Sequence, residues 1–121
     1  VTPALAVLVA VGGGVGAGLR WLLDAALLAA WKRRGFPWPI LVINVTGSFI
    51  LALLVPWSGE PWGVVLGAGV IGGYTTYSTV SVDTAAMWRS GRRRQAAANV
   101  FGTLVLSAAA AAGGIALAGA I

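Results

Sequence analysis

Ten consecutive residues, Gly72, Gly73, Tyr74, Thr75, Thr76, Tyr77, Ser78, Thr79, Val80 and Ser81, interrupt an otherwise apolar stretch with two glycines and then β-branched and hydroxyl side chains. That composition makes a poor helix. A helix broken there would free backbone carbonyls and amides, which hold ions at such breaks in membrane proteins. In the alternative, a continuous helix, the hydroxyls bond back to the preceding turn. Asn44 is the one amide in the middle of the second apolar stretch, with Thr46, Gly47 and Ser48 just beyond. Its NH₂ can donate to an anion without bringing a counter-charge, or tie helices together. Arg20 lies roughly 16 Å of helix from the next loop, too deep for easy snorkelling. It either neutralises Asp24 one turn away or draws anions into a wet vestibule. Asn99, Thr103 and Ser107 repeat every four residues, on one helical face, as a pore wall or a helix contact.

Other chemistries are poorly supplied. The chain has no cysteine and no histidine, and its three acidic residues, Asp24, Glu60 and Asp83, are scattered. Thiol chemistry, the usual zinc and iron ligands and paired-carboxylate hydrolysis are therefore not expected, and no enzyme is predicted.

The elements that carry these residues are read from composition. Of 121 residues, 59% are hydrophobic and only 9% charged, which places the chain in lipid. A hydrocarbon core of about 30 Å takes roughly 20 apolar residues per helical crossing, so four crossings in one domain use nearly the whole length. The expected helices are 3–31, 39–55, 62–88 and 95–120, the third broken near Thr75. Pro37, Pro39, Pro56 and Pro61 stop and restart them. Trp31, Trp38, Trp57, Trp62 and Trp88 fall at the predicted ends, where indole suits the headgroup layer. The first stretch has no basic leader and is expected to be retained as a helix. Small residues permit close packing, within or between subunits: Gly12 with Gly16, Gly14 with Gly18, Gly69 with Gly73, and the alanines from Ala108 to Gly114.

Seven of the eight basic residues sit in two loops, Lys32, Arg33 and Arg34 in 32–37 and Arg89, Arg92, Arg93 and Arg94 in 89–94. By the positive-inside rule both loops are cytoplasmic and both termini external. Two short clusters beside apolar spans form no groove for nucleic acid.

Three segments resemble the Fluc (CrcB) fluoride channels: GGVGAGLR at 13–20, ILVINVTGSF at 40–49 and GVIGGYTTYSTVS at 69–81. The resemblance implies an all-α, antiparallel dual-topology dimer in the cell's inner membrane, passively exporting fluoride from the cytoplasm. It implies a structural sodium ion at the dimer centre, held by the carbonyls of Gly72 and Thr75. An ion pathway would include Asn44, Tyr77, Ser78, Thr79, Val80, Thr103 and Ser107, with Arg20 in the vestibule. The family's two pore phenylalanines fall at Tyr77 and Val80, its helix-two threonine at Ile40, its glutamate after the break at Asp83 and its helix-four tyrosine at Asn99. The charge bias, seven to none, does not suit a chain that must insert both ways, and points to an oppositely oriented paralogue as partner. Two other readings are a small multidrug-type proton-coupled exporter and a non-conducting subunit of a heterodimeric channel.

Overall fold

A computed structural model describes residues 2–31 and 36–121, the side chain of Trp31 excepted. Lys32, Arg33 and Arg34 of the first basic loop lie outside the described residues. The described residues form four helical passes and no strand. The first is α1 (Pro3–Trp31), the second α2 (Trp38–Leu53) and the fourth α6 (Arg93–Ala120). The third is composite: α3 (Pro61–Val64), a π-helical segment (Val65–Ile71), α4 (Gly72–Tyr74), a non-helical link at 75–77, then α5 (Ser78–Arg89). Two helices, Pro3–Ala30 and Arg93–Ala120, are each long and apolar enough to cross a membrane, and α2 is a shorter apolar helix.

Local chemistry sets the boundaries. Pro39 and Pro61 occupy first-turn positions of α2 and α3, where a missing N–H costs nothing. Helix α2 ends at Leu53, two residues before the expected limit, because Pro56 cannot donate to the carbonyl one turn back. The chain tightens into a 3-10 turn at Val55–Trp57 instead. Helix α5 closes on Gly91, whose φ of 85° lets Gly91 N–H reach the Trp88 carbonyl at 3.2 Å and Arg92 N–H that of Met87 at 2.9 Å. Helix α6 then starts at Arg93, two residues earlier than the sequence suggests.

The glycines decide which helices touch. Helix α1 packs along the π-helical segment and α4, and α2 along α6. A methyl group at Gly16 would overlap the backbone of Val70, and one at Gly73 that of Gly13. Gly14 and Gly18 have open space around them. Of the two spacings in α1, Gly12 with Gly16 therefore serves packing within the chain, while Gly14 with Gly18 lies on an open face. Gly16→Ala should accordingly cost about 1–3 kcal/mol through overpacking, and Gly14→Ala close to nothing. Denaturation of the two variants in detergent measures the difference.

Candidate functional site

The link at 75–77 is held from outside its own helix. Thr75 is extended (φ −80°, ψ 157°), and the backbone of Thr76 bonds to the side chain of Asn44 in both directions. Thr76 N–H donates to Asn44 Oδ1 at 2.8 Å, and Asn44 Nδ2 donates to the Thr76 carbonyl at 2.9 Å. A primary amide offers the donor and acceptor of a peptide group, so Asn44 replaces the helical partners that Thr76 lacks. Gly47, three residues on, makes the approach possible, since a methyl group there would strike Thr75. On the far side of the link, Thr76 Oγ1 accepts from the N–H of Thr79 at 3.3 Å and so caps the start of α5. The hydroxyls of Ser78 and Thr79 both turn to that of Thr76, at 3.2 and 3.3 Å.

The link leaves acceptors free. Among the described residues no backbone N–H is bonded to the carbonyls of Gly72 or Thr75. In a continuous helix Gly72 would receive the N–H of Thr76, which Asn44 has taken. Unpaired carbonyl oxygens are hard donors suited to a small hard cation, so the chemistry of Gly72 and Thr75 fits sodium.

Beside the link lies an open groove of about 290 Å³. Helix α2 lines it with Asn44, Ser48 and Leu51, the link with Thr75, Thr76 and Tyr77, and α6 with Val100, Thr103, Leu104 and Ser107. Val80 borders it too, but is only 3% exposed and packs with Ile40 and Ile43. Tyr77 is 78% exposed. Asn44 is 7% exposed, and its second amide hydrogen remains available beside the groove.

The threonine and serine hydroxyls in and near the groove differ in how they are satisfied. Thr46 Oγ1 bonds back to the Val42 carbonyl at 2.8 Å, and Thr75 Oγ1 to that of Ile71 at 3.1 Å, the ordinary way a helix satisfies a hydroxyl. Thr103 Oγ1 and Ser107 Oγ do neither: both atoms are buried and have no hydrogen-bond partner. Two buried hydroxyls one helical turn apart, both without a partner within the chain, carry a desolvation cost that a polar visitor would relieve.

Not every sequence candidate comes to the groove. Asn99, expected to share a face with Thr103 and Ser107, is only 1% exposed and ties α6 to α5, through Nδ2 to Thr84 Oγ1 at 2.9 Å and to the Val80 carbonyl at 3.4 Å. Ser78 and Thr79 are engaged with Thr76 and stand off the lining. Arg20 does not line the groove; its Nε is buried without a partner, and among the described residues no ion pair joins it to Asp24. Ser48 and Thr76 line the groove although the sequence reading assigned neither to the ion pathway; Ser48 stands one helical turn after Asn44 and so on the same face.

A chain-wide comparison settles the kinship. The family model described as "CrcB-like protein, Camphor Resistance (CrcB)" matches residues 7–115. This chain belongs to the CrcB family. The chain is 38% identical over 101 residues to a protein of Elusimicrobium minutum, covering 82% of this chain and 81% of that one. It is 37% identical over 113 residues to one of Nitrobacter winogradskyi, covering 88% and 89%. A Vibrio parahaemolyticus protein is 37% identical over 109 residues, covering 85% of each. All three relatives are named "Fluoride-specific ion channel FluC". The family is one of transport proteins rather than enzymes.

Proposed function

We propose that this CrcB-family chain is a fluoride-selective passive channel that lets fluoride leave the cytoplasm across the inner membrane. The observation that carries the reading is the pair of buried, unpartnered hydroxyls on Thr103 and Ser107 facing the groove with Asn44, in a chain whose relatives are named for fluoride. Fluoride is small and tightly hydrated, and a dry pathway must replace its water with donors. The amide of Asn44 and the hydroxyls of Thr103 and Ser107 supply them, and the ring edge of Tyr77 is the positive edge of an aromatic quadrupole. Ser78 and Thr79 order the link through Thr76, and Arg20 raises the local anion concentration from a vestibule. A sodium ion, if bound by the Gly72 and Thr75 carbonyls, supplies fixed positive charge at the mid-membrane break.

The working unit of this reading is an antiparallel dimer, which would cover the exposed Tyr77. The basic residues, seven on one side and none on the other, favour a single orientation, with both basic loops cytoplasmic and both termini external. The partner is then an oppositely biased paralogue. Burial of Val80 against Ile40 favours a second reading, in which this chain contributes little conduction and scaffolds that partner.

Fluoride-loaded liposomes carrying the purified chain, followed with a fluoride electrode after a potassium shunt, test the proposal. We expect fluoride efflux with chloride retained, either from the chain alone or after co-expression with the oppositely biased relative. Silence in both preparations would overturn the channel reading.

A further inference from the structure

We propose that the groove between the starts of α2 and α6 is a binding site for one anionic phospholipid. This groove, of about 530 Å³, lies apart from the candidate pathway; Trp38 and Leu41 form one wall, and Ala98, Gly102 and Leu106 the other. From Gln95 at its mouth to Leu106, α6 rises roughly 16 Å at 1.5 Å per residue. That is about half the thickness of a hydrocarbon core, the depth reached by one acyl chain. Gly102 keeps the groove open, since a methyl group there would meet nothing.

The mouth has the opposite character. Arg89, Arg92, Arg93 and Arg94 precede Gln95 closely in the chain and are all exposed, and the first turn of α6 contains no acidic residue. Arg92 Nη1 holds Gln95 Oε1 at 3.2 Å, joining the charged cluster to the groove. The 28-residue α6 also points its N-terminal amides, the positive end of its dipole, this way. On the facing wall the rings of Phe36 and Trp38 lie 4.7 Å apart, and Arg93 covers Trp88 at 4.6 Å, as interfacial aromatics do at headgroup level. A phosphate at a cluster of arginines, above a slot one acyl chain deep, is the chemistry of an anionic phospholipid.

Native mass spectrometry of the full chain in neutral detergent, offered equal amounts of phosphatidylglycerol and phosphatidylcholine with matched chains, reads the site. We expect phosphatidylglycerol adducts to exceed phosphatidylcholine at least tenfold. Arg94→Gln should weaken retention about fivefold, the factor one surface arginine contributes toward an anionic lipid. Gly102→Leu should fill the slot and remove the adduct without changing the mass of the assembly. Ala98→Leu reads the same slot should Gly102→Leu not fold. Equal retention of both lipids, undiminished adducts in the filled variants, or loss of assembly mass on filling would each overturn the proposal, the last by showing that a second copy occupies the groove.

Discussion

Replacing Asn44 by alanine should lower fluoride efflux at least a hundredfold and alter the backbone around Thr76. The substitution removes two hydrogen bonds at once and leaves the N–H and carbonyl of Thr76 without partners, at roughly 1–3 kcal/mol for each buried group. The nearest remedy is local: Thr76 N–H can turn back to the Gly72 carbonyl, closing the link into helix and consuming the oxygen proposed for sodium. Asn44→Asp separates the two roles. Its carboxylate still accepts from Thr76 N–H, so half of the pairing is kept, but it turns an acceptor on the Thr76 carbonyl, offers no donor and places a negative charge beside an anion's path. Both variants should therefore fail in the liposome efflux assay. Hydrogen exchange at Thr76 should change more in the alanine variant than in the aspartate, which keeps the acceptor for that N–H. Efflux surviving in Asn44→Ala would show that the amide is no part of the pathway.

What could be read in advance, and what could not, divides by the range of the interaction. Helix ends follow from prolines a residue or two away and from tryptophans at the headgroup layer, and these are properties of a single segment. The packing of Gly12 and Gly16 against Gly69 and Gly73 was open between two subunits and one, because small-residue spacing marks a close approach without naming the neighbour. The Asn44 to Thr76 pair spans 32 residues, and no local pattern connects them. The stripe of Asn99, Thr103 and Ser107, open in the sequence between a pore wall and a helix contact, divides between the two for a geometrical reason. At 3.6 residues per turn each step of four rotates about 40° past a full turn, so eight residues separate the ends of the stripe by about 80°. That rotation carries Asn99 onto α5 while Thr103 and Ser107 stay on the groove. The π-helical winding of Val65–Ile71 is a change of bonding register, which leaves no mark on composition. Ile40 and Val80, two departures from the family pattern at distant positions, pack in one cluster; each alone reads only as a lost polar or aromatic group.

Thr103→Val together with Ser107→Ala should leave stability unchanged, or raise it slightly, while fluoride flux falls by more than tenfold. Replacing a hydrogen-bonded hydroxyl ordinarily destabilises a protein, because its partner is left unsatisfied. Here neither hydroxyl has a protein partner, so valine and alanine remove a desolvation cost and strand nothing. On the proposed function, these two groups are kept polar for the ion rather than for the fold. A hydrogen bond to a charged group is worth roughly 1.5–3 kcal/mol, and each 1.4 kcal/mol is a factor of ten, so tenfold is the lower limit even where only one of the two donors serves the ion. Thr46→Val is the matched control, since its hydroxyl bonds to the Val42 carbonyl and is approached by Tyr74 at 3.0 Å; it should lose stability with far less change in flux. Efflux from liposomes and unfolding in detergent, measured on the same preparations, separate the two behaviours. A double variant that conducts fluoride like wild type would remove Thr103 and Ser107 from the pathway, leaving their unpaired burial as a structural cost without a function.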